Sequence, residues 1–185
     1  MTRRAVFLDR DGVLNRAFVR DGRPYPPRDV AEAELLPGAL LACQALKAAG
    51  ATLVMVTNQP DLGRGTTTPA TVAAINSWLQ EALSLDDVRV CPHEDADGCG
   101  CRKPLPGMLV DAAAELAVDL AGSVMVGDRW RDVNAGRAAG CATVFVNRDY
   151  AERRPEQPDL VVRELGDAVP WILERCARSK HRDHC

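Results

Sequence analysis

Short runs of β-branched and aliphatic residues recur along the chain, and each is cut off by Gly, Asp or Asn. Residues 5–8, 53–56, 88–90, 123–126 and 142–146 read as strands, with 159–162 as a short sixth. Stretches of helical apolar spacing separate them, at 37–49, 69–83, 106–116 and 132–139. Thr68-Pro69 is an N-cap followed by proline at the first helical position, and Gly50 and Gly140 stand where helices stop. Ala, Val and Leu carry most of the apolar mass, a mixture that suits helices packed on a buried parallel sheet. Strand and helix alternating in this way predict an α/β fold, a doubly wound (Rossmann-like) parallel sheet. One domain over 1–175 accounts for the pattern. The basic, polar stretch 176–185 reads as a flexible tail.

Composition removes several classes of function. The net charge is −3 and no basic stretch precedes the tail, so nucleic acid is not an expected partner. No apolar run approaches the roughly 18 residues that span a bilayer, so no membrane association is expected. The first apolar run, 5–8, is too short for the core of a signal peptide, and a cytoplasmic monomer is the default expectation. Seven cysteines without a secretory signal favour metal over disulfides, because three of them crowd between positions 91 and 101.

Ligands of open α/β sheets bind at the carboxyl ends of strands, and here those ends carry the chemistry. Asp9 and Asp11 follow the first strand two residues apart, and so can address one site. Two carboxylates that close repel unless a cation sits between them; Mg2+, which favours carboxylate oxygens, resolves the conflict. One of the pair can then attack phosphorus while the other handles the leaving-group proton. Thr57 and Asn58 at the second end offer a hydroxyl and backbone N–H groups to phosphate oxygens. Arg102 and Lys103 follow the third, and Lys103 can neutralise charge on both nucleophile and phosphoryl group. Asp128 and Asp132 follow the fourth, either one able to complete a metal site.

Cys91, His93, Cys99 and Cys101 form C-x-H-x5-C-x-C, the donor set of a closed tetrahedral Zn2+ site. Four protein ligands leave no position for water, so this zinc is structural. The loop runs straight into Arg102-Lys103 and would hold both cations in place.

These four strand-end motifs, in this order over residues 5–147, resemble the haloacid dehalogenase superfamily of phosphohydrolases. The resemblance implies that Asp9 becomes an aspartyl-phosphate, that Asp11 is general acid and then base, and that Thr57 and Lys103 steady the phosphoryl group. It implies Mg2+ held by Asp9, the backbone carbonyl of Asp11 and Asp128, with Asp132 acting from behind these ligands. Positions 12–56 and 59–102 are filled by core elements, so no cap domain fits. Specificity then falls to the loop 17–28, to the zinc loop, and to Arg20, Arg64, Arg102, Arg129 and Asn58 as substrate contacts. The expected ligand is a small phosphorylated metabolite, a sugar bisphosphate above all. The zinc loop and missing cap resemble a branch containing phosphatases of D-glycero-D-manno-heptose 1,7-bisphosphate and of histidinol phosphate. Gly63-Arg64-Gly65 and Pro106-Gly107-Met108-Leu109 favour the heptose substrate. The short His93–Cys99 spacer and Pro60-Asp61 keep histidinol phosphate as the alternative. A phosphoaspartate receiver domain fits less well, since its acceptor follows a mid-chain strand.

Overall fold

The computed structural model of the protein describes residues 3–178. In chain order the first half runs β1 (Ala5–Leu8), β2 (Phe18–Arg20), β3 (Arg23–Tyr25), α1 (Ala39–Ala48), β4 (Thr52–Asn58), α2 (Pro60–Arg64) and α3 (Pro69–Leu83). The second half runs β5 (Asp87–Cys91), α4 (Gly107–Leu116), β6 (Val124–Gly127), α5 (Trp130–Ala138), β7 (Ala142–Val146), β8 (Leu160–Val162) and α6 (Leu165–Arg178). β2 and β3 form a small antiparallel hairpin. The other strands make one parallel sheet in the order β5-β4-β1-β6-β7-β8. Chain direction across the sheet reverses between β1 and β6, and the crevice opens at that point.

The period-two geometry of the strands splits their side chains between two cores. Val6, Leu8, Leu53, Met55, Val124 and Val126 pack with Leu46 of α1, Leu79 of α3 and Ile172 of α6. Ala5, Phe7, Val54, Val56 and Met125 face the other way, against Met108 and Leu109 of α4 and Ala135 of α5. Every residue of β1, β6 and β7 is buried, which is why their sequences show no polar alternation. No cap domain interrupts this core, and no helix among the described residues is long and apolar enough to cross a membrane.

Three elements go beyond the expectation. The segment 17–28, read as a loop, holds the β2–β3 hairpin. Its turn residues Asp21 and Gly22 have φ of 51° and 72°, the double positive φ of a tight hairpin turn. Helix α2 follows β4 directly. Helix α6 buries Leu165, Ala168 and Ile172 and continues to Arg178, so the boundary expected at 176 falls inside a helix. Pro170 inside it reads as a breaker in sequence and hid the stripe. The rest of the expected tail lies outside the described residues.

α5 lies close on the sheet because Gly136 faces it. A Cβ there would come within 2.6 Å of Met125 Cβ and 2.9 Å of the Thr143 methyl, both fixed to strand backbone. Gly136→Val should therefore lower stability by about 2–3 kcal/mol, read as a lower urea midpoint at unchanged slope.

Candidate active site

Lys103 stands at the centre of the site. Its side chain is 1% exposed, and the ammonium donates to Asp9 Oδ1 at 2.8 Å, Asp132 Oδ1 at 2.7 Å and the Val56 carbonyl at 2.7 Å. Three protons thus meet three acceptors, from β1, α5 and β4. Burial alone would pull the lysine pKa down; the charges of Asp132 and Asp9 outweigh it and hold the group above its ordinary value. Asn58 fixes the lysine backbone from β4, accepting from Lys103 N at 3.1 Å and donating to its carbonyl at 2.9 Å.

Asp9 follows β1, and its N–H donates to the Val126 carbonyl of β6 at 3.0 Å. Its Oδ1 accepts from the Arg10 N–H at 2.8 Å as well as from Lys103. Burial pushes its carboxyl up to about 6, with Asp132 adding to the shift and Lys103 opposing it. Asp128, at the end of β6, is 2% exposed; the Tyr150 hydroxyl approaches its carboxylate, and no other donor meets either oxygen. Burial, then the charges of Asp9 and Asp132, drive its pKa well above the usual carboxylate range. Gly12 makes room for it: φ is 87°, and a Cβ at this position would lie 1.8 Å from Asp128 Oδ2.

Ligand oxygens of Asp9, Asp128 and Asp132 lie within 4.8 Å of one another. Three buried carboxylates against one lysine leave two negative charges, which a divalent ion would balance. Buried oxygens on Asp128 that no backbone or cationic donor meets, and an all-oxygen donor set, fit Mg2+. Asp132 is already engaged at both oxygens, by Lys103 and by the Arg129 N–H at 2.9 Å. Asp11 faces the same cavity. Thr57 is buried at the end of β4, and its Oγ1 accepts from Gln59 Nε2 at 2.9 Å.

The sulfurs of Cys91, Cys99 and Cys101 and Nδ1 of His93 converge at separations of 3.2–3.7 Å. A tetrahedral zinc with thiolate bonds of about 2.3 Å sets neighbouring donors about 3.7 Å apart, so the cluster has the required size. The loop is held against its surroundings by Gly63 N to the Pro92 carbonyl at 3.1 Å and Gly107 N to the Gly100 carbonyl at 3.1 Å. Arg102 is aimed by this loop, donating to the His93 carbonyl at 2.9 Å and to Asp95 at 2.8 Å.

A cavity of about 470 Å3 opens above these groups. The structure brings Asp9, Asp11, Thr57, Asn58, Lys103, Asp132, Arg64, Arg102 and Arg129 to its lining. It does not bring Arg20, whose guanidinium stacks 5.5 Å from the Tyr25 ring centroid. In a hairpin Arg20 pairs with Arg23, and it is Arg23, with Tyr25, that lines the cavity. The Asp-Gly pair at 21–22 is the signal that could have found this register. Asn58 lines the cavity too, but both atoms of its amide hold Lys103, a positioning contact where a substrate contact was expected. Arg131 was missed; it forks onto Asp95 at 2.9 and 3.0 Å beside Arg102. Arg64 pairs with Glu94 and Asp61, and Arg129 with Glu152. Among the described residues Arg23 alone of the lining cations has no hydrogen-bond or acidic partner.

Cys99→Ser should leave the zinc loop without its closure, because metal affinity at such a site is folding energy. The expected result is loss of stoichiometric zinc by metal analysis and a melting temperature lower by about 10 °C, equivalent to about 3 kcal/mol. A variant as zinc-rich and heat-stable as the parent would overturn the assignment.

A family model described as HAD-hydrolase-like matches residues 100–168, the stretch from the end of the zinc loop through β8. The D-glycero-β-D-manno-heptose-1,7-bisphosphate 7-phosphatase of Bordetella bronchiseptica is 44% identical over 182 residues, covering 91% of this chain and 97% of that one. The enzyme of the same name from Escherichia coli K12 is 35% identical, covering 94% and 90%. The crystal structure of the B. bronchiseptica D,D-heptose 1,7-bisphosphate phosphatase, complexed with magnesium and phosphate, superposes with a TM-score of 0.80 at 38% identity, covering 92% of this chain and 98% of that one. With identity of this extent over nearly the whole of both sequences, the chain belongs to the family of D-glycero-β-D-manno-heptose-1,7-bisphosphate 7-phosphatases, within the haloacid dehalogenase-like hydrolases.

Proposed function

We propose that the protein removes the 7-phosphate of D-glycero-D-manno-heptose 1,7-bisphosphate through an aspartyl-phosphate on Asp9, with Mg2+ as cofactor. The substrate is taken from the named activity of its relatives. The chemistry rests on one observation: Asp9, Asp128, Asp132 and Lys103 share one buried cluster with Asp11 beside it at the cavity floor.

Asp9 attacks phosphorus as the bond to the sugar oxygen breaks, and Asp11 gives its proton to that oxygen. Asp11, now a carboxylate, takes a proton from the water that attacks the aspartyl-phosphate. The bond from phosphorus to Asp9 then breaks and inorganic phosphate leaves. Thr57 donates to the phosphoryl oxygens, Lys103 neutralises charge on nucleophile and phosphoryl group from its place beside Asp9, and Asp132 keeps the lysine charged and in place. Asp9, Asp128 and the carbonyl of Asp11 would hold Mg2+, which supplies charge neutralisation between nucleophile and phosphoryl group. The second phosphate of the substrate reaches the cationic rim, where Arg23 is free to fork onto it and Arg102, Arg131, Arg64 and Arg129 are already ordered by acids.

Asp9→Asn should reduce turnover about 10⁴-fold or more while the protein stays folded and its zinc content stays with the parent. In parallel assays with magnesium, kcat/KM should exceed about 10⁴ M⁻¹s⁻¹ on the heptose bisphosphate and be far lower on histidinol phosphate. The reverse order would overturn the substrate and leave the chemistry. Arg23→Ala should raise KM for the bisphosphate about tenfold or more, the worth of one charge-assisted hydrogen bond, with little change on 4-nitrophenyl phosphate. An equal loss on both would show that Arg23 supports the hairpin and does not bind the second phosphate.

A further inference from the structure

Arg10 lies between the two acids of the first strand end, and the chemistry above gives it no task. Its side chain is 1% exposed, among the largest buried side chains of the protein. A buried guanidinium is costly unless its donors are matched. Here Nε donates to Asp11 Oδ2 at 3.0 Å, Nη2 forms an ion pair with the same oxygen at 2.9 Å, and Nη1 donates to Asn76 Oδ1 at 2.9 Å. Asn76 sits on α3 and is itself buried, so the arginine is anchored to a helix on the core side of the sheet. Gln59 Nε2 adds a second donor to Asp11 Oδ2 at 3.0 Å. The other oxygen, Oδ1, accepts a single bond, from Asn15 Nδ2 at 2.9 Å. A carboxylate oxygen has about two lone-pair sites, so these two donors fill Oδ2 and leave no place for a proton there. Oδ1 keeps a site open.

We infer that Arg10, anchored by Asn76, is a positioning residue for Asp11: it fills Oδ2 and makes Oδ1 the oxygen that exchanges the proton. This rests on the reading of Asp11 as general acid and base. A carboxylate on a short loop could otherwise rotate and offer either oxygen. The Asn76–Arg10 fork fixes its plane from behind, out of reach of substrate.

The test uses the full chain with magnesium and two substrates that differ in leaving group. The heptose bisphosphate expels an alkoxide that needs a proton; 4-nitrophenyl phosphate expels nitrophenolate, which does not. The variants are Arg10→Lys, which keeps the charge and loses the fork, and Asn76→Leu, which leaves Arg10 present but unanchored. For both, turnover of the heptose bisphosphate should fall about 10–100-fold, part of what general acid–base catalysis supplies, with KM within about threefold of the parent. With 4-nitrophenyl phosphate the first turnover should stay within about threefold of the parent while later ones slow. Stopped-flow should then show a burst of about one nitrophenolate per site. Equal losses on both substrates with no burst, or no loss at all in folded protein, would overturn the inference and leave Arg10 a packing residue. If the parent forms no hydroxylamine-labile phosphoenzyme, the aspartyl-phosphate reading fails and the inference with it. A parent phosphoenzyme beside unaffected variants removes the inference alone.

Discussion

A buried ammonium group bonded to two carboxylates and a backbone carbonyl is the constraint around which this protein is arranged. Lys103 has no water to fall back on, so Asp9, Asp132 and the Val56 carbonyl must all be in place for its charge to be tolerated. Removing one partner of such a pair typically costs about 3–5 kcal/mol, because the other charge is left stranded. The three acceptors come from β1, α5 and β4, so the lysine ties together the strand ends on both sides of the switch point. Stability and the proposed chemistry meet in one interaction: the contact that makes the buried lysine permissible also fixes Asp9, the proposed nucleophile. The same argument explains Asp128. Its oxygens are buried with only the Tyr150 hydroxyl beside them, a state that persists in folded proteins where an ion or ligand completes it.

The lysine is also held from outside the sheet. Asn58 clamps its backbone through two hydrogen bonds, and the zinc loop ends one residue before Arg102. A zinc held by these four ligands would thus be close in sequence to Arg102 and Lys103. Four closely spaced ligands shape a loop that has no regular structure beyond one short 3-10 turn, Asp95–Asp97. That turn carries Asp95, which receives both Arg102 and Arg131. Metal binding in the loop therefore reaches the cavity rim through Asp95 and the floor through Lys103.

Much of this was legible before any coordinates. Strand ends are where polar residues interrupt apolar runs, and catalytic side chains in this fold class sit there, so Asp9, Asp11, Thr57, Lys103, Asp128 and Asp132 could be picked from the sequence. Zinc ligands were legible because thiol and imidazole at close spacing have few other uses. The rim was not. Arg20 and Arg23 are both exposed arginines in one segment, and only the register of the hairpin decides which one meets the cavity. Asn58 follows Thr57 at the end of β4, and nothing local reveals that its amide is taken by a backbone 45 residues away. Arg131 sits in the first turn of α5, and its pairing with Asp95 depends on how the zinc loop folds back. Helix α6 carried a readable stripe at Leu165, Ala168 and Ile172, masked by Pro170. Local chemistry is written in short motifs; the rim depends on tertiary register, which short motifs do not encode.

The pairing of the rim arginines follows from the absence of a cap. A capped enzyme can order its cations as the cap closes over the substrate. Here nothing closes, so mobile arginines would have to lose rotamer freedom at each binding event, at about 0.5–1.5 kcal/mol for every side chain immobilised. Arg64, Arg102, Arg129 and Arg131 avoid that loss by resting on Glu94, Asp95 and Glu152 in the free protein. Asp95, at 62% exposed, is a weak partner in the energetic sense, since ion pairs in water contribute about 0–1 kcal/mol. A phosphate, with more charge and more acceptor oxygens than a carboxylate, can therefore share these guanidinium groups without first breaking a strong bond. Asp95, the exposed one of these acids, holds Arg102 and Arg131 in position without binding them strongly. Arg23, on the hairpin, is the exception, being free of any such partner. A hairpin with a two-residue turn restricts its own backbone, and the hydrogen bond from Ala151 N to the Gly22 carbonyl at 2.8 Å fixes the turn to the opposite wall of the cavity. That side of the rim is ordered by its backbone, where the other side is ordered by charge.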